Sequence, residues 1–298
     1  MFKNIKYKYR RFRANYPIIN GINFVHHQPK HGNLGDELCS PKHYFDFHDA
    51  KKDLTIIGGG VYIDSGANVC SRFGFERTNV VLWGTGFSLR DDNIFRQKAP
   101  LDYAAWGLRD LDKVSSYDHF LPCVSCLHPM LDTKNSSDGV LLFLNADHNV
   151  TAQEEIDDLK AISSSRGWKF LLNNCSEAEM KSALKASSHI LTNSFHGSYW
   201  GLLSGRQVTI LGYSSKFKSL LHGLGLCDDR FIEVRRGLSG ICKILSDNLN
   251  LENNRITLKN SKAKLDEFRS INLDFANKIV KLRLVSSWEL KTSNKTMP

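Results

Sequence analysis

The sequence predicts an α/β protein made of two Rossmann-like domains that face a central cleft, with a C-terminal helix packing back across them. Short apolar runs alternate with polar helical stretches along most of the chain, and several runs end in glycine or in a charged residue. Such a rhythm is typical of parallel sheets with crossover helices. The length of 298 residues exceeds the usual size of one hydrophobic core, which favours two domains.

The first half contains three apolar runs that predict strands over residues 53–57, 79–83 and 104–108. Turn or charged residues follow them: Gly58, Gly59 and Gly60 after the first, Gly84 and Gly86 after the second, and Arg109 after the third. Because parallel strands end at the same edge of a sheet, we expect these turns to converge on the cleft.

The second half repeats this pattern more clearly. Strands are predicted over 139–144, 168–172, 189–192, 207–211 and 231–234, and helices over 151–165, 176–187 and 196–204. Thr151 with Glu154 three residues later predicts a capping box at the first of these helices.

The predicted organisation has five parts. A basic N-terminal segment (1–20) precedes an N-terminal domain (21–135), and the polar stretch 133–139 leads to a C-terminal domain (136–250). Apolar residues recur at helical spacing between 255 and 285, so residues 251–286 are expected to close the fold as a helix. Residues 287–298 are expected to be a disordered tail.

Charge and cysteine content limit the partners. Six Lys and Arg residues alternate with aromatic residues before position 17, which indicates either a membrane-surface segment or a solvated basic tail. No nucleic-acid-binding signature and no secretory signal are present, and no apolar run reaches the ~18–20 residues needed to span a bilayer.

Seven cysteines without framework spacing fit a reducing, cytoplasmic compartment. Cys123 and Cys126 form a CxxC without a second ligand pair, so no metal site is expected.

The segment 191–206, LTNSFHGSYWGLLSGR, is the most informative. It places His196 between the carboxyl end of a predicted strand and the amino end of a predicted helix, where open α/β sheets bind ligands. The alternative is a structural, hydrogen-bonded histidine.

Other candidates accompany His196. Asn33 and Asp36, in HGNLGDEL, suit sugar hydroxyls, although an ordinary helix start capped by an acidic residue has the same pattern. Arg109 suits a phosphate or carboxylate, with an internal salt bridge to Asp110 or Asp112 as the alternative. Ser215 and Lys216 follow another strand and also suit an anionic group. The chain has no P-loop, and Gly58–Gly60 lacks the spacing of a dinucleotide fingerprint, so no nicotinamide or flavin cofactor is predicted.

Taken together, the blocks GNLGDE, IIGGG, VLWGTG, GLRD, TNSFHGSYWGLLSGR and YSSKF resemble the polysaccharide pyruvyl transferase family in order and spacing over about residues 22–220. That resemblance implies a two-domain fold similar to GT-B glycosyltransferases. It also implies transfer of the enolpyruvyl unit of phosphoenolpyruvate onto two hydroxyls of a sugar, giving a cyclic ketal and phosphate without a further cofactor.

By the same resemblance, His196 is the acid/base residue and Arg109 holds the donor, with Lys216, Ser215 and Ser194 beside it. Asn33 and Asp36 line the cleft, where the glycine turns at Gly59, Gly60 and Gly84 are also expected. Many members carry an arginine at the position of Ser194, so here anion binding rests on Arg109 and Lys216, or the donor pocket differs.

The expected partners are phosphoenolpyruvate and a sugar or lipid-linked oligosaccharide at the inner face of the cell membrane. Two rival functions share the predicted fold or site. One is a GT-B-like glycosyltransferase that uses a nucleotide-sugar donor, and the other is a glycan-binding protein without catalysis.

Overall fold

The computed structural model describes residues 16–60, 70, 74–88, 102–134, 136–227, 230–236, 240–247 and 251–291. The N-terminal residues 1–15 and the last residues, 292–298, therefore lie outside the described part of the chain. Most of the basic segment and most of the predicted tail belong to these residues.

The strands of the described residues are short. In chain order they are β1 (Ile18–Ile19), β2 (Ile22–Val25), β3 (Phe45–His48), β4 (Thr55–Gly58), β5 (Val80–Thr85), β6 (Ala105–Leu108), β7 (Val140–Leu144), β8 (Lys169–Leu172), β9 (His189–Thr192), β10 (Gln207–Gly212), β11 (Ile232–Glu233) and β12 (Ser287–Leu290).

The α-helices of the same residues are concentrated in the second half of the chain. They are α1 (Leu34–Leu38), α2 (Ile156–Ser165), α3 (Glu177–Lys185), α4 (Phe195–Leu203), α5 (Lys216–Gly223), α6 (Ile241–Ser246) and α7 (Ser261–Lys281). Single 3₁₀ turns occupy Pro41–His43, Arg77–Asn79, Leu111–Lys113, Tyr117–His119, Val124–Leu127, Pro129–Asp132 and Gln153–Glu155.

Two sheets of five strands form the frame. The first has the order β1-β2-β4-β5-β6, in which β1 is antiparallel to β2 and the other pairs are parallel. The second has the order β11-β10-β9-β7-β8 and is parallel throughout. Strands such as β4 and β9 are buried on both faces, as continuous apolar runs require. The predicted α/β class with parallel sheets is confirmed.

The strand orders of the two sheets differ. In the second sheet the chain starts at β7, adds β8 on one side, and then returns to add β9, β10 and β11 on the other side. This reversal between β7 and β9 is the topological switch point of a doubly wound sheet. In the first sheet the parallel strands simply follow chain order, so it has no such reversal.

The end of the chain corrects the sequence analysis. Residues 287–298 are predicted to be a disordered tail, but Ser287–Leu290 forms β12 and pairs with β3 in a separate two-stranded antiparallel sheet. Trp288 packs edge-on against Phe45 at 5.3 Å between ring centroids. The strand is mostly exposed and its partner lies far away in the sequence, so its local pattern gives no signal.

Helix starts need a second correction. The capping box predicted at Thr151 and Glu154 does not form, because Gln153–Glu155 is a 3₁₀ turn and α2 begins without a side-chain cap. The hydroxyl of Thr151 instead accepts a hydrogen bond from Asn193 Nδ2 at 2.9 Å. A capping box does form at α3, where Ser176 and Glu179 exchange hydrogen bonds.

The closing helix α7 is shorter than the predicted segment 251–286 and contacts the cores of both sheets. Phe268 belongs to the core around the second sheet, while Phe275 and Ile279 belong to the core of the first. Asn272 lies between them and accepts a hydrogen bond from Trp83 Nε1 at 2.8 Å. No helix of the described residues is both long and apolar enough to cross a membrane.

One hydrophobic cluster contains residues of both halves, so the two halves do not meet only at their surfaces. Leu34 and Cys123 from the first half pack in the same cluster as Trp200 from the second. Hydrogen bonds follow the same path: Tyr199 Oη donates to the Cys123 carbonyl at 2.8 Å, and Leu34 N–H donates to the Asn173 carbonyl at 2.7 Å. These buried contacts hold the carboxyl edges of the two sheets at a defined distance from each other.

Candidate active site

A cavity of about 360 Å³ lies between the carboxyl edges of the two sheets. Each parallel strand of both sheets contributes at least one lining residue from the segment that follows its carboxyl end. Short segments after strands are free of sheet hydrogen bonds and can carry polar side chains, which is why α/β proteins bind ligands at this edge. The volume is at the lower end of the range for small-molecule sites.

The cavity brings together most of the residues selected from the sequence. Its lining includes these seven: Asn33, Asp36, Gly60, Arg109, Ser194, His196 and Lys216. The side chains of Arg109 and His196, which come from different sheets, therefore face one common space.

Three selected residues do not line the cavity. Gly59 packs against Cys39, whose Sγ would lie 2.6 Å from a β-carbon at that position. Gly84 lies within β5, where a β-carbon would approach the Pro122 carbonyl to 3.1 Å, and its φ of +59° favours glycine. Ser215 is buried at the start of α5. The structure therefore does not place these three residues in the lining of the cavity, and the two glycines allow close packing against Cys39 and Pro122 instead.

His196 occupies the first turn of α4 and is 5 % exposed. Its Nε2 lies 3.5 Å from Cys123 Sγ, and its ring covers Gly35 so closely that a β-carbon there would lie 2.1 Å from Nδ1. Burial, together with the charges of Arg109 and Lys216, holds the pKa of His196 well below its usual value. The imidazole is therefore neutral at neutral pH, with one nitrogen available as a proton acceptor.

The pKa of Asp36 is shifted in the opposite direction from that of His196. Asn33 caps α1 by accepting hydrogen bonds from the N–H groups of Gly35 and Asp36, and its Nδ2 donates to Asp36 Oδ2 at 2.8 Å. Burial raises the pKa of Asp36 despite the opposing pull of nearby cations, among them Lys216 and Arg109. A carboxyl group with a raised pKa retains its proton at higher pH and can act as an acid.

Arg109 is buried between an aromatic ring and the carboxylate of Asp110, the salt-bridge partner that the sequence offered as an alternative. Its guanidinium lies 4.0 Å from the ring centroid of Phe195, and its Nε is 3.7 Å from Asp110 Oδ1. Within the described part of the chain, Arg109 Nε has no hydrogen-bond partner. Gly86 makes room for this side chain, because a β-carbon there would lie 2.4 Å from Arg109 Nε. A buried guanidinium whose Nε has no hydrogen-bond partner keeps donor capacity, which is suited to binding an anion.

Lys216 adds a second positive charge. Its Nζ donates to Tyr213 Oη at 2.6 Å and lies 4.4 Å from the centroid of the same ring. The N-terminus of α4 adds partial positive charge, because its first N–H groups have no partner within the helix. Ser194 caps this helix by accepting from Gly197 N–H at 3.4 Å.

Several lining residues were missed by the sequence analysis. They are His27, His31, Asn145, Asp147, Asn173 and Arg236. Asn145 and Asp147 directly follow the predicted strand 139–144, so the rule that selects Arg109 after its strand would have found them as well. His27 follows β2, which was not predicted, and therefore had no signal.

The fold and the site define a class of α/β protein with two parallel sheets. The carboxyl edges of these sheets enclose a cavity that is lined by cations and also contains a neutral imidazole and a protonatable carboxyl group. Compared with known proteins, the chain matches no family model and no curated sequence. Among the described residues, no group of three or more His, Cys, Asp or Glu side chains is placed to hold a metal ion.

Proposed function

We propose that this protein transfers a pyruvyl group from phosphoenolpyruvate to two hydroxyls of a surface-glycan sugar, forming a ketal and releasing phosphate. One observation carries the proposal. Arg109 and Lys216, the cations required by a small polyanion, line the same cavity as Asp36 and His196, whose pKa values are shifted in opposite directions. The resemblance of the ordered sequence blocks to polysaccharide pyruvyl transferases specifies the donor.

Donor binding would use the cations. Phosphoenolpyruvate carries a phosphate and a carboxylate on a three-carbon unit, so it needs concentrated positive charge within a small volume. Arg109 offers a guanidinium whose Nε has no partner among the described residues, Lys216 offers an ammonium, and the first turn of α4 offers backbone N–H groups. This supports a compact anionic donor that binds without a metal ion.

Asp36 and His196 would divide the proton transfers. Neutral His196 accepts the proton of the attacking hydroxyl as its oxygen bonds to C2 of the donor, and protonated Asp36 gives a proton to the methylene carbon, C3. Attack of the second hydroxyl on C2 then closes the ketal as the C2–O bond to phosphate breaks. The second hydroxyl proton leaves with phosphate, and the proton held by His196 passes through solvent to Asp36, which restores both groups. Two carboxyl or imidazole groups with divergent pKa values are the usual sign of such a division of roles.

The test measures phosphate release and the pyruvyl mass gained by candidate glycans. His196→Gln is expected to lower turnover by about 10²–10⁴-fold, the usual contribution of general acid–base catalysis. His222→Gln is the matched control, since His222 is exposed at the end of α5. Similarly, Lys216→Met should weaken phosphoenolpyruvate binding in calorimetry, whereas Lys218→Met, an exposed lysine on the same helix, should not. Normal turnover in His196→Gln would remove His196 from this mechanism.

Nucleotide-sugar glycosyltransfer is the rival function, and one observation favours it. The second sheet is doubly wound with its switch point at the cavity, an arrangement that many nucleotide-binding proteins share. Thermal shift with nucleoside diphosphates against phosphoenolpyruvate separates the two donors. Stabilisation by nucleoside diphosphates alone would favour glycosyltransfer, and sugar binding without turnover would favour a glycan-binding role.

The basic N-terminal segment would bring the cavity to a lipid-linked acceptor at the cytoplasmic face of a membrane. Because β1 runs antiparallel to β2, Tyr16 lies at the carboxyl edge of the first sheet, with its ring 6.5 Å from that of His26. The segment therefore joins the fold on the cavity side. Co-sedimentation with phosphatidylglycerol vesicles, but not with phosphatidylcholine vesicles, is expected. Replacing the six basic residues before position 14 by Gln should abolish it.

A further inference from the structure

We infer that the part of the cavity around Asp147 is a separate subsite for an uncharged, hydroxyl-bearing sugar, apart from the half that contains Arg109 and Lys216. Its assignment to the acceptor of the reaction rests on the proposed function. The existence of a sugar subsite rests on the charges and hydrogen bonds of Asp147 and on the hydrogen bonds that hold the loop carrying it.

The charged partner of Asp147 differs from those of the other two titratable residues. Besides burial, the pKa of Asp36 is influenced by His27, Lys216 and Arg109, and that of His196 by Arg109 and Lys216. Asp147 instead forms an ion pair with Arg236, with 3.4 Å between Oδ2 and Nη2. Lys216 and Arg236 both contact the ring of Tyr213, at 4.4 Å and 5.9 Å from its centroid, so the part of the cavity around Asp147 adjoins the part that contains Lys216 but has its own ion pair.

Asp147 has a carboxylate oxygen available to a ligand. Its Oδ1 accepts hydrogen bonds from Asn149 N–H at 3.0 Å and from Asn149 Nδ2 at 2.9 Å. Among the described residues, Oδ2 has one partner, a long 3.4 Å contact with Arg236. A quarter of the side chain is exposed. An oxygen that keeps free acceptor capacity in a cavity is suited to a sugar hydroxyl.

The pKa of Asp147 is shifted in the opposite direction from that of Asp36, so Asp147 is ionised at neutral pH. Although partial burial opposes the change, the Asn149 donors and the charges of Arg236 and His31 lower the pKa of Asp147. A fixed negative charge repels the phosphate and carboxylate of the donor. It attracts neutral hydroxyl groups, which donate strong hydrogen bonds to carboxylates. This charge difference favours an uncharged sugar over a second anion at this position.

The loop that carries Asp147 is held by hydrogen bonds to two buried side-chain amides. Asn193 Oδ1 accepts from Asn145 N–H, and Asn173 Oδ1 accepts from Ala146 N–H, both at 2.8 Å. Asn193 and Asn173 are 0 % and 2 % exposed. They sit at the ends of β9 and β8, beside the switch point between β7 and β9. The subsite is therefore preorganised, which reduces the entropy lost when a ligand binds.

The experiment measures binding without turnover, so that it does not depend on the reaction. Methyl glycosides of glucose, galactose and mannose are titrated by saturation-transfer NMR, and phosphoenolpyruvate by calorimetry. The variants are Asp147→Ala, Asp147→Asn and Arg109→Met, with Asp157→Ala as the control, since the Asp157 side chain is 90 % exposed on α2.

At least one glycoside is expected to bind, and Asp147→Ala should weaken it about 10- to 100-fold, the range for a hydrogen bond to a charged group. Asp147→Asn keeps an acceptor oxygen and should restore part of that affinity while leaving phosphoenolpyruvate binding unchanged or tighter. Arg109→Met should weaken phosphoenolpyruvate binding and leave glycoside binding unchanged.

Three results would overturn the inference: no glycoside binding to the natural protein, glycoside binding that is undiminished in Asp147→Ala, or weaker phosphoenolpyruvate binding in Asp147→Asn. Failure of the proposed function looks different. In that case glycosides bind in an Asp147-dependent way while phosphoenolpyruvate does not bind the natural protein at all.

Discussion

Replacing Gly35 by alanine tests the contact between α1 and the imidazole of His196, to which the proposed function assigns a proton transfer. A β-carbon at Gly35 would lie 2.1 Å from His196 Nδ1, 2.4 Å from Cγ and 2.8 Å from Cβ. Non-bonded heavy atoms need about 3.5 Å, so the imidazole must move by roughly 1.4 Å or α1 must retreat by as much. Both movements change the distance between Asp36, the next residue on α1, and His196.

The effect on activity should far exceed the effect on stability. Misplacement of a reacting group by about 1 Å costs on the order of 10²-fold in rate. Overpacking costs about 1–3 kcal/mol of unfolding free energy, and alanine regains about 1 kcal/mol through its helix propensity. We therefore expect Gly35→Ala to lose about 100-fold in turnover while its unfolding free energy decreases by no more than about 2 kcal/mol.

The assays are phosphate release with phosphoenolpyruvate and a glycan acceptor, and urea unfolding. Gly240→Ala is the matched control, because its β-carbon would have no heavy atom within 4 Å and its φ of 171° is extended backbone open to any residue. Turnover of Gly35→Ala equal to that of the natural protein would refute the inferred contact between α1 and His196.

Three further predictions concern stability. Burial raises the pKa of Asp110 from 3.8 to about 6, so the native state binds more protons between these pH values and stability falls as pH rises. Asp110→Asn should lack this decrease and gain about 3 kcal/mol relative to the natural protein between about pH 3 and pH 7. Burial, with a smaller effect of Arg255, lowers the pKa of His189 from 6.5 to about 4, so stability is lost as the pH falls from 6.5 towards 4. In urea unfolding at several pH values, His189→Gln should lack this loss of about 3 kcal/mol. Asn272→Leu removes the acceptor of the buried Trp83 N–H and should cost about 1–3 kcal/mol, and an unchanged urea midpoint would contradict that role.

Local sequence patterns are sufficient for most of the parallel strands, although not for β2, and for the part of the site that follows the predicted ones. The strands near 55–58, 80–85 and 105–108 are predictable because short, continuous apolar runs that end in turn residues are typical of strands buried on both faces of a parallel sheet. Arg109 and His196 stand out because they follow such runs closely, and both line the cavity.

The pairing of short or exposed strands could not be predicted in this way. β1 has two residues, and β12 is largely exposed and pairs with β3 more than 200 positions earlier in the chain. Neither has the alternation or the length that identifies a strand locally. The glycines after strands were equally ambiguous, since Gly60 lines the cavity while Gly59 packs against Cys39.

The sequence by itself determined which residue types stand at the carboxyl ends of the parallel strands, because strand direction and chain order follow from local patterns. Only the tertiary structure decided the direction in which their pKa values shift. Asp36 and Asp147 are the same residue type in one cavity, yet burial raises the pKa of the first, while Asn149, Arg236 and His31 lower that of the second. Desolvation and the positions of neighbouring charges act through space, so they exist only once the two sheets have packed against each other.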